Sequence, residues 1–356
     1  MKKFLRIAFK TFFLCVLLSL AALSAEAQIV PCTNQKVITL PTEYGNFGQM
    51  AVTRNAILHP DSTVPAPISV FVPSGATVQN RRPVVFFAHG FGGFDYRFYE
   101  GLLRQLTSNG YIVVFAPYTP NLFTTHANRY QQMWSGFLLA VERYGNLMDT
   151  SRAGFAGHSY GAGALPELTK RGVAQGWGAN GSFIFAMAPW YSFGSDFTSI
   201  PAKTKLVVQI YWEDGTNEHL IAQNDLWKNL SHLTERKWQT VRSAQCRCLL
   251  KAGHSVPVTS GEQGTSDSGG DLNAQDYWSV WRRLHALSEY TFNNNQAAKD
   301  IAFGVDARSG RWRSCSLRPV TPIEATDAPI VNPNQEANFR WASKCLFADP
   351  GAQCSL

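Results

Sequence analysis

The chain has 356 residues, 45% of them hydrophobic and 16% charged, with a formal net charge of +7. Ample apolar content and low charge exclude intrinsic disorder. Outside the N-terminal stretch no apolar run approaches the ~20 residues that span a bilayer, which excludes a multi-pass membrane protein.

The first element in chain order reads as a secretory signal, residues 1–27. Lys2, Lys3, Arg6 and Lys10 form a basic start, residues 11–23 an apolar core, and Ala25-Glu26-Ala27 a small-x-small cleavage site that makes Gln28 the new N-terminus. The expectation is a secreted or periplasmic protein with no stable membrane insertion after cleavage. Cys15 follows Phe13 and Leu14 rather than small residues, which argues against a lipoprotein anchor. Cleavage removes four basic residues and one acidic one and leaves a balance of +4. No basic stripe or nucleic-acid motif accompanies that mild surplus, so no nucleic-acid partner is expected.

Beyond the signal, apolar β-branched runs alternate with helical patterns. This is the signature of an α/β protein with a mostly parallel central sheet flanked by helices. The expected strands are residues 69–72, 84–88, 112–116, 154–157, 183–188, 206–211 and 247–250. Several are continuous apolar runs, as suits strands buried on both faces. The expected helices are residues 96–108, 131–144, 162–171, 222–230 and 274–290, with Gly110 as a left-handed stop after the first. Residues 259–272 read as a polar loop. Periodicity fades near residue 300, so the expected division is a catalytic domain over 28–300 and an irregular, Cys-containing C-terminal extension over 301–356. No repeat is visible.

Gly157-His158-Ser159-Tyr160-Gly161 matches G-x-S-x-G. An apolar strand precedes it and a small-residue helical pattern follows, which is the strand–turn–helix that a nucleophile elbow requires. A serine hydroxyl is a poor nucleophile without a base. His254, just past the strand at 247–250, is the candidate base. His219, His232 and His285 are read as solvated or capping, and His89 and His158 as structural parts of glycine motifs. The acid is expected at the exit of strand 206–211, in Trp212-Glu213-Asp214-Gly215; Asp214 is chosen and Glu213 is the alternate. It would orient the imidazole and stabilise its protonated form. Backbone N–H groups of Tyr160 and of Phe91, in His89-Gly90-Phe91-Gly92-Gly93, are candidates for an oxyanion hole.

With these motifs assembled, the chain resembles the dienelactone-hydrolase-like branch of the α/β-hydrolases, which includes bacterial cutinases and polyester hydrolases, platelet-activating-factor acetylhydrolases and chlorophyllases. The resemblance spans about residues 65–290. It rests on residues 84–93 and 106–114, on Asp149–Arg152 leading into the elbow, on Ala188-Pro189-Trp190, and on the Asp214 and His254 neighbourhoods. It implies an α/β-hydrolase fold and a secreted serine carboxylic ester hydrolase working through Ser159, Asp214 and His254, with no metal and no cofactor. It also implies that Trp190 contacts substrate. Two departures stand out: Tyr160 occupies a position where cutinases usually carry Met, and 102 residues follow His254. Phospholipid acyl esters, chlorophyll and peptide bonds remain alternative substrates, and a non-catalytic binding protein is a third reading.

About 15 residues separate Trp190 from the next strand, too few for a helical cap. The site is therefore expected to be open unless the C-terminal segment folds across it. Phe91, Phe94, Tyr96, Tyr160 and Trp190 would form an aromatic rim for a small or polymeric ester. The acidic loop with Asp267 and Asp271 lacks the spacing of an EF-hand. Of seven cysteines, loss of Cys15 leaves six: Cys32, Cys246, Cys248, Cys315, Cys345 and Cys354. An even set suits up to three disulfides in an oxidising compartment. Cys246 and Cys248 share one strand face and should not pair with each other. A tether from that strand to the tail or to Cys32 is expected.

Overall fold

The computed structural model describes residues 30–31, 40–194, 196–245, 248–259, 272–306 and 321–356. The signal segment 1–27 with its cleavage site lies outside the described residues. So do Cys32, Cys246, Cys315, Asp267 and Asp271, and with them the expected tether between the strand before His254 and the tail.

Among the described residues, nine strands form one mixed sheet. In chain order they are β1 (Val52–Ile57), β2 (Ile68–Pro73), β3 (Arg82–Ala88), β4 (Ile112–Phe115), β5 (Met148–His158), β6 (Gly181–Met187), β7 (Lys205–Tyr211), β8 (Arg236–Val241) and, after a separate ribbon, β11 (Glu324–Thr326). The ribbon is β9 (Ala244–Gln245) with β10 (Cys248–Leu250), antiparallel. The spatial order is β11-β8-β7-β6-β5-β3-β4-β2-β1. Strands β3 to β8 run parallel, while β1, β2 and β11 are antiparallel additions at the two edges.

The apolar runs explain why the sheet is buried on both sides. Successive residues of a strand face opposite ways. Val84, Phe86 and Ala88 of β3 enter one core, and Val85 and Phe87 enter the other. Helices α2 (His126–Tyr144) and α3 (Tyr160–Ala174) cover the first face through Met133, Phe137, Leu165 and Leu168. Helices α1 (Glu100–Ser108) and α4 (Arg282–Phe292) cover the second through Leu102, Leu106, Leu284 and Leu287. Each such side chain contributes about 1.5–3 kcal/mol on leaving water. Among the described residues no helix is long and apolar enough to cross a membrane.

The strands that periodicity did not reveal have identifiable causes. Strand β1 is an edge strand, only half buried, with the polar sequence VTRNAI. Strand β8 buries Gln239 and Thr240, which look like surface residues in sequence. Gln239 is accommodated because it accepts from Gln209 at 3.0 Å and donates to the Ala302 carbonyl at 2.9 Å.

The described part of the C-terminal segment, 321–356, is mostly irregular but holds short regular pieces. A short helix α5 (Lys299–Phe303) precedes it, β11 adds a strand to the sheet edge beside β8, and a 3₁₀ turn spans Trp341–Phe347. Cys345 pairs with Cys354, nine residues on, so this disulfide closes a loop within the tail.

Candidate active site

Strand β5 delivers the elbow. His158 ends the strand, Tyr160 begins α3, and Ser159 sits between them at φ 54° and ψ −119°, a region that costs a non-glycine residue energy. Three backbone bonds hold it there: the Ser159 N–H donates to the Met187 carbonyl at 2.9 Å, and the Ser159 carbonyl accepts from Trp190 at 2.9 Å and Gly163 at 3.0 Å. The flanking glycines are required by close approach. A Cβ on Gly161 would collide with the Ala88 carbonyl, and one on Gly157 would lie 2.9 Å from the same oxygen.

Strand β7 delivers Asp214, which is 2% exposed. One carboxylate oxygen accepts the N–H groups of Thr216 (2.7 Å) and Asn217 (3.0 Å), and the other accepts from His254 Nδ1 at 2.8 Å. The imidazole Nε2 lies 2.9 Å from Ser159 Oγ. With Nδ1–H donating to Asp214, Nε2 is the acceptor for the serine proton. The three residues selected from the sequence are thus in one continuous hydrogen-bonded line. Glu213 turns away: its Oε2 accepts from Ser243 Oγ at 2.7 Å.

His158 ties the parts together. The Gly90 N–H donates to Tyr99 Oη at 3.0 Å, Tyr99 Oη–H donates to His158 Nδ1 at 2.9 Å, and His158 Nε2–H donates to the His254 carbonyl at 2.9 Å. Burial, then the nearby His254, hold His158 well below the usual histidine range, so it stays neutral. The Gly90 loop, the elbow and the loop of His254 therefore share one relay of fixed tautomers. Replacing Tyr99 by Phe strands the Gly90 N–H and the His158 acceptor in the interior. The expected outcome is a loss of about 1–3 kcal/mol of stability in urea melts. A wild-type melt would show the relay to be idle.

His89, His219 and His285 are bonded and buried rather than solvated. His89 is pushed down to about 3 by burial and stacks on Tyr118 with ring centroids 4.2 Å apart. His219 reaches the Tyr211 carbonyl at 2.9 Å. Burial lowers His285 to about 4, and it accepts from the Gly45 N–H. These assignments correct the capping reading of His219 and His285. His232, half-buried, reaches the Ile200 carbonyl at 3.0 Å.

A cavity of about 770 Å³ opens over Ser159 and His254. Phe91, Tyr160 and Trp190 line it, as the sequence suggested. Tyr160 is the first residue of α3, where a backbone N–H has no acceptor within the helix. Phe94 and Tyr96 do not line it, which corrects that part of the expected rim. The chain turns at Gly93, whose N–H donates to Gly90, and Asp95 then caps the turn Tyr96–Tyr99. That sends Tyr96 onto Phe71 of β2 and beneath the Arg54 guanidinium, while Phe98 and Tyr99 reach the cavity.

Several lining residues carried no sequence signal. His126 begins α2 after the cap Thr125; its Nδ1 accepts from Tyr160 Oη at 2.8 Å, and its Nε2–H donates to the Phe347 carbonyl at 2.5 Å. Burial depresses its basicity. Phe339, Phe347 and Asp349 come from the tail, more than 80 residues past His254. No local pattern in sequence could bring them to the site. The chain matches no protein-family model and no curated protein.

Proposed function

We propose that the protein is a serine carboxylic ester hydrolase of the α/β-hydrolase fold, exported by its N-terminal signal and akin to the dienelactone-hydrolase-like branch. The observation that carries the reading is the line Asp214–His254–Ser159, at 2.8 and 2.9 Å, with the serine on a positive-φ strand-to-helix turn. The parallel sheet order, the absence of a helix in described residues 188–204 and the mostly apolar cavity support it. The disulfide Cys345–Cys354 suits an oxidising compartment.

In this mechanism Ser159 Oγ attacks the ester carbonyl carbon while His254 Nε2 takes its proton. Asp214 stabilises the imidazolium that forms. The carbonyl oxygen becomes an oxyanion, which the N–H groups of Phe91 and Tyr160 would accept; one such donor is worth about 3 kcal/mol of barrier. His254 returns the proton to the leaving alkoxide, leaving an acyl-enzyme. Water, deprotonated by His254, then attacks the acyl carbon, and the acid departs as Ser159 recovers its proton.

A fluorophosphonate probe should label the mature protein at Ser159, and p-nitrophenyl esters should be turned over with a burst of phenolate. No labelling and no turnover of any ester in a panel of acyl lengths would overturn the proposal.

A further inference from the structure

The tail is built into the cavity wall. Along that wall the rings meet in series: Phe91 with Tyr160 at 6.2 Å, Tyr160 with Trp190 at 5.2 Å, and Trp190 with Phe339 at 5.6 Å and Phe347 at 5.9 Å. The wall thus starts beside the candidate oxyanion loop and ends on two residues that belong to the C-terminal segment. Phe339 and Phe347 also touch each other edge to face at 5.2 Å.

This segment is held at both ends of its passage. On one side it is stitched to the loop that carries Asp214. The Phe339 N–H donates to Thr216 at 2.9 Å, its carbonyl accepts from Glu218 at 3.0 Å, and Gln335 Nε2 donates to the carbonyls of Asp214 (2.7 Å) and Asn217 (2.8 Å). On the other side Asp349 accepts the first two N–H groups of α2, His126 at 2.6 Å and Ala127 at 3.1 Å. A carboxylate there also answers the positive end of the helix. Between these anchors Lys344 pairs with the buried Asp225 at 2.5 Å, and the Cys345–Cys354 disulfide closes the loop that carries Phe347 and Asp349. A segment bonded at so many points is a fixed wall.

We propose that residues 339–350 form a specificity-determining strap: Phe339 and Phe347 close the Trp190 end of the cavity, so the site selects esters whose group lodged there is compact over those carrying an extended chain. This rests on the ester-hydrolase reading and names the substrate class within it. A closed apolar end rejects an overlong group because the rings would have to leave Trp190 and break the strap's bonds to accommodate it. An open groove would be indifferent to length.

The test compares wild type with Phe347→Ala and, for the case where that variant loses its fold, with Cys354→Ser, which loosens the strap without touching a wall residue. Two ester series are used: p-nitrophenyl esters of acyl chains from acetyl to decanoyl, and acetates of alcohols of the same lengths. Wild type should favour the short members in one series. In Phe347→Ala the ratio of kcat/KM for long over short members of that series should rise about tenfold or more, as the loss of several carbons from an apolar pocket predicts. Cys354→Ser should shift it in the same direction by less. Turnover with length ratios unchanged in both variants, or a wild type indifferent to length in both series, overturns the strap and leaves the hydrolase reading standing. Absence of turnover together with absence of fluorophosphonate labelling overturns both.

Discussion

Replacing Ser159 by alanine is expected to lower kcat by on the order of 10⁶, with the fold intact. The hydroxyl oxygen is the only heavy atom lost. The three bonds that hold the elbow are backbone bonds to Met187, Trp190 and Gly163, and alanine keeps them all. Alanine also suffers no more than serine at φ 54°. The melting temperature should therefore stay at or above the wild-type value, as is common where a strained, functional residue is removed. What survives chemically is binding and the N–H donors, which alone leave a residual rate over water. Because every proton transfer that the proposed mechanism gives His254 serves the ester or acyl group carried by Ser159, the double variant Ser159→Ala, His254→Ala should be no slower than the single one. Single-turnover assays with a p-nitrophenyl ester measure both. Near-normal activity in Ser159→Ala would show that the line of three is structural.

The elbow and the sheet were legible in sequence for the same reason: their constraints are local. Gly157 and Gly161 both press on one oxygen, that of Ala88, and the end of the strand that leads into them, residues 153–157, is an unbroken buried run of small and apolar residues. His254 and Asp214 were legible because each follows the end of a strand, and the order of strands in the chain sets where those ends lie. The far wall of the cavity was not. Phe339, Phe347 and Asp349 reach the site by a return of the chain across the sheet edge, and that return depends on Gln335 meeting the carbonyls of Asp214 and Asn217 over more than 100 residues. Nothing in the spacing of Pro, Asn and Ser encodes such a contact. Tyr96 shows the opposite failure. Its proximity in sequence to the candidate oxyanion loop suggested a place in the site, but one capped turn at Asp95 was enough to deliver it to Phe71 instead.

Asp214→Asn should lower kcat/KM by about 10⁴, while Glu213→Gln should stay within about threefold, the range of a surface change. The two neighbours differ in what they face. Asp214 is buried and has three donors on its two oxygens: the N–H groups of Thr216 and Asn217, and His254 Nδ1. An asparagine can keep the two backbone bonds through its carbonyl oxygen, so the loop should hold its shape. Its amide NH₂ then faces His254, and the ring must accept at Nδ1. The proton moves to Nε2, which points a donor at Ser159 Oγ and leaves no base to take the serine proton. The charge that would stabilise the imidazolium is lost as well. Glu213 by contrast, at an exposed position, accepts from Ser243 among the described residues, and the amide of glutamine can keep one of those bonds. The same ester assay decides between them, with a melting curve on each variant as the control for folding. A large loss in Glu213→Gln and a small one in Asp214→Asn would reassign the acid. It would also mean that the loop of His254 moves on binding substrate, since Glu213 bonds Ser243 while His254 Nδ1 bonds Asp214. The backbone tie between Glu213 N–H and the Ala252 carbonyl, at 3.0 Å, argues against such a movement, because it fastens the loop of Asp214 directly to the strand exit that carries His254.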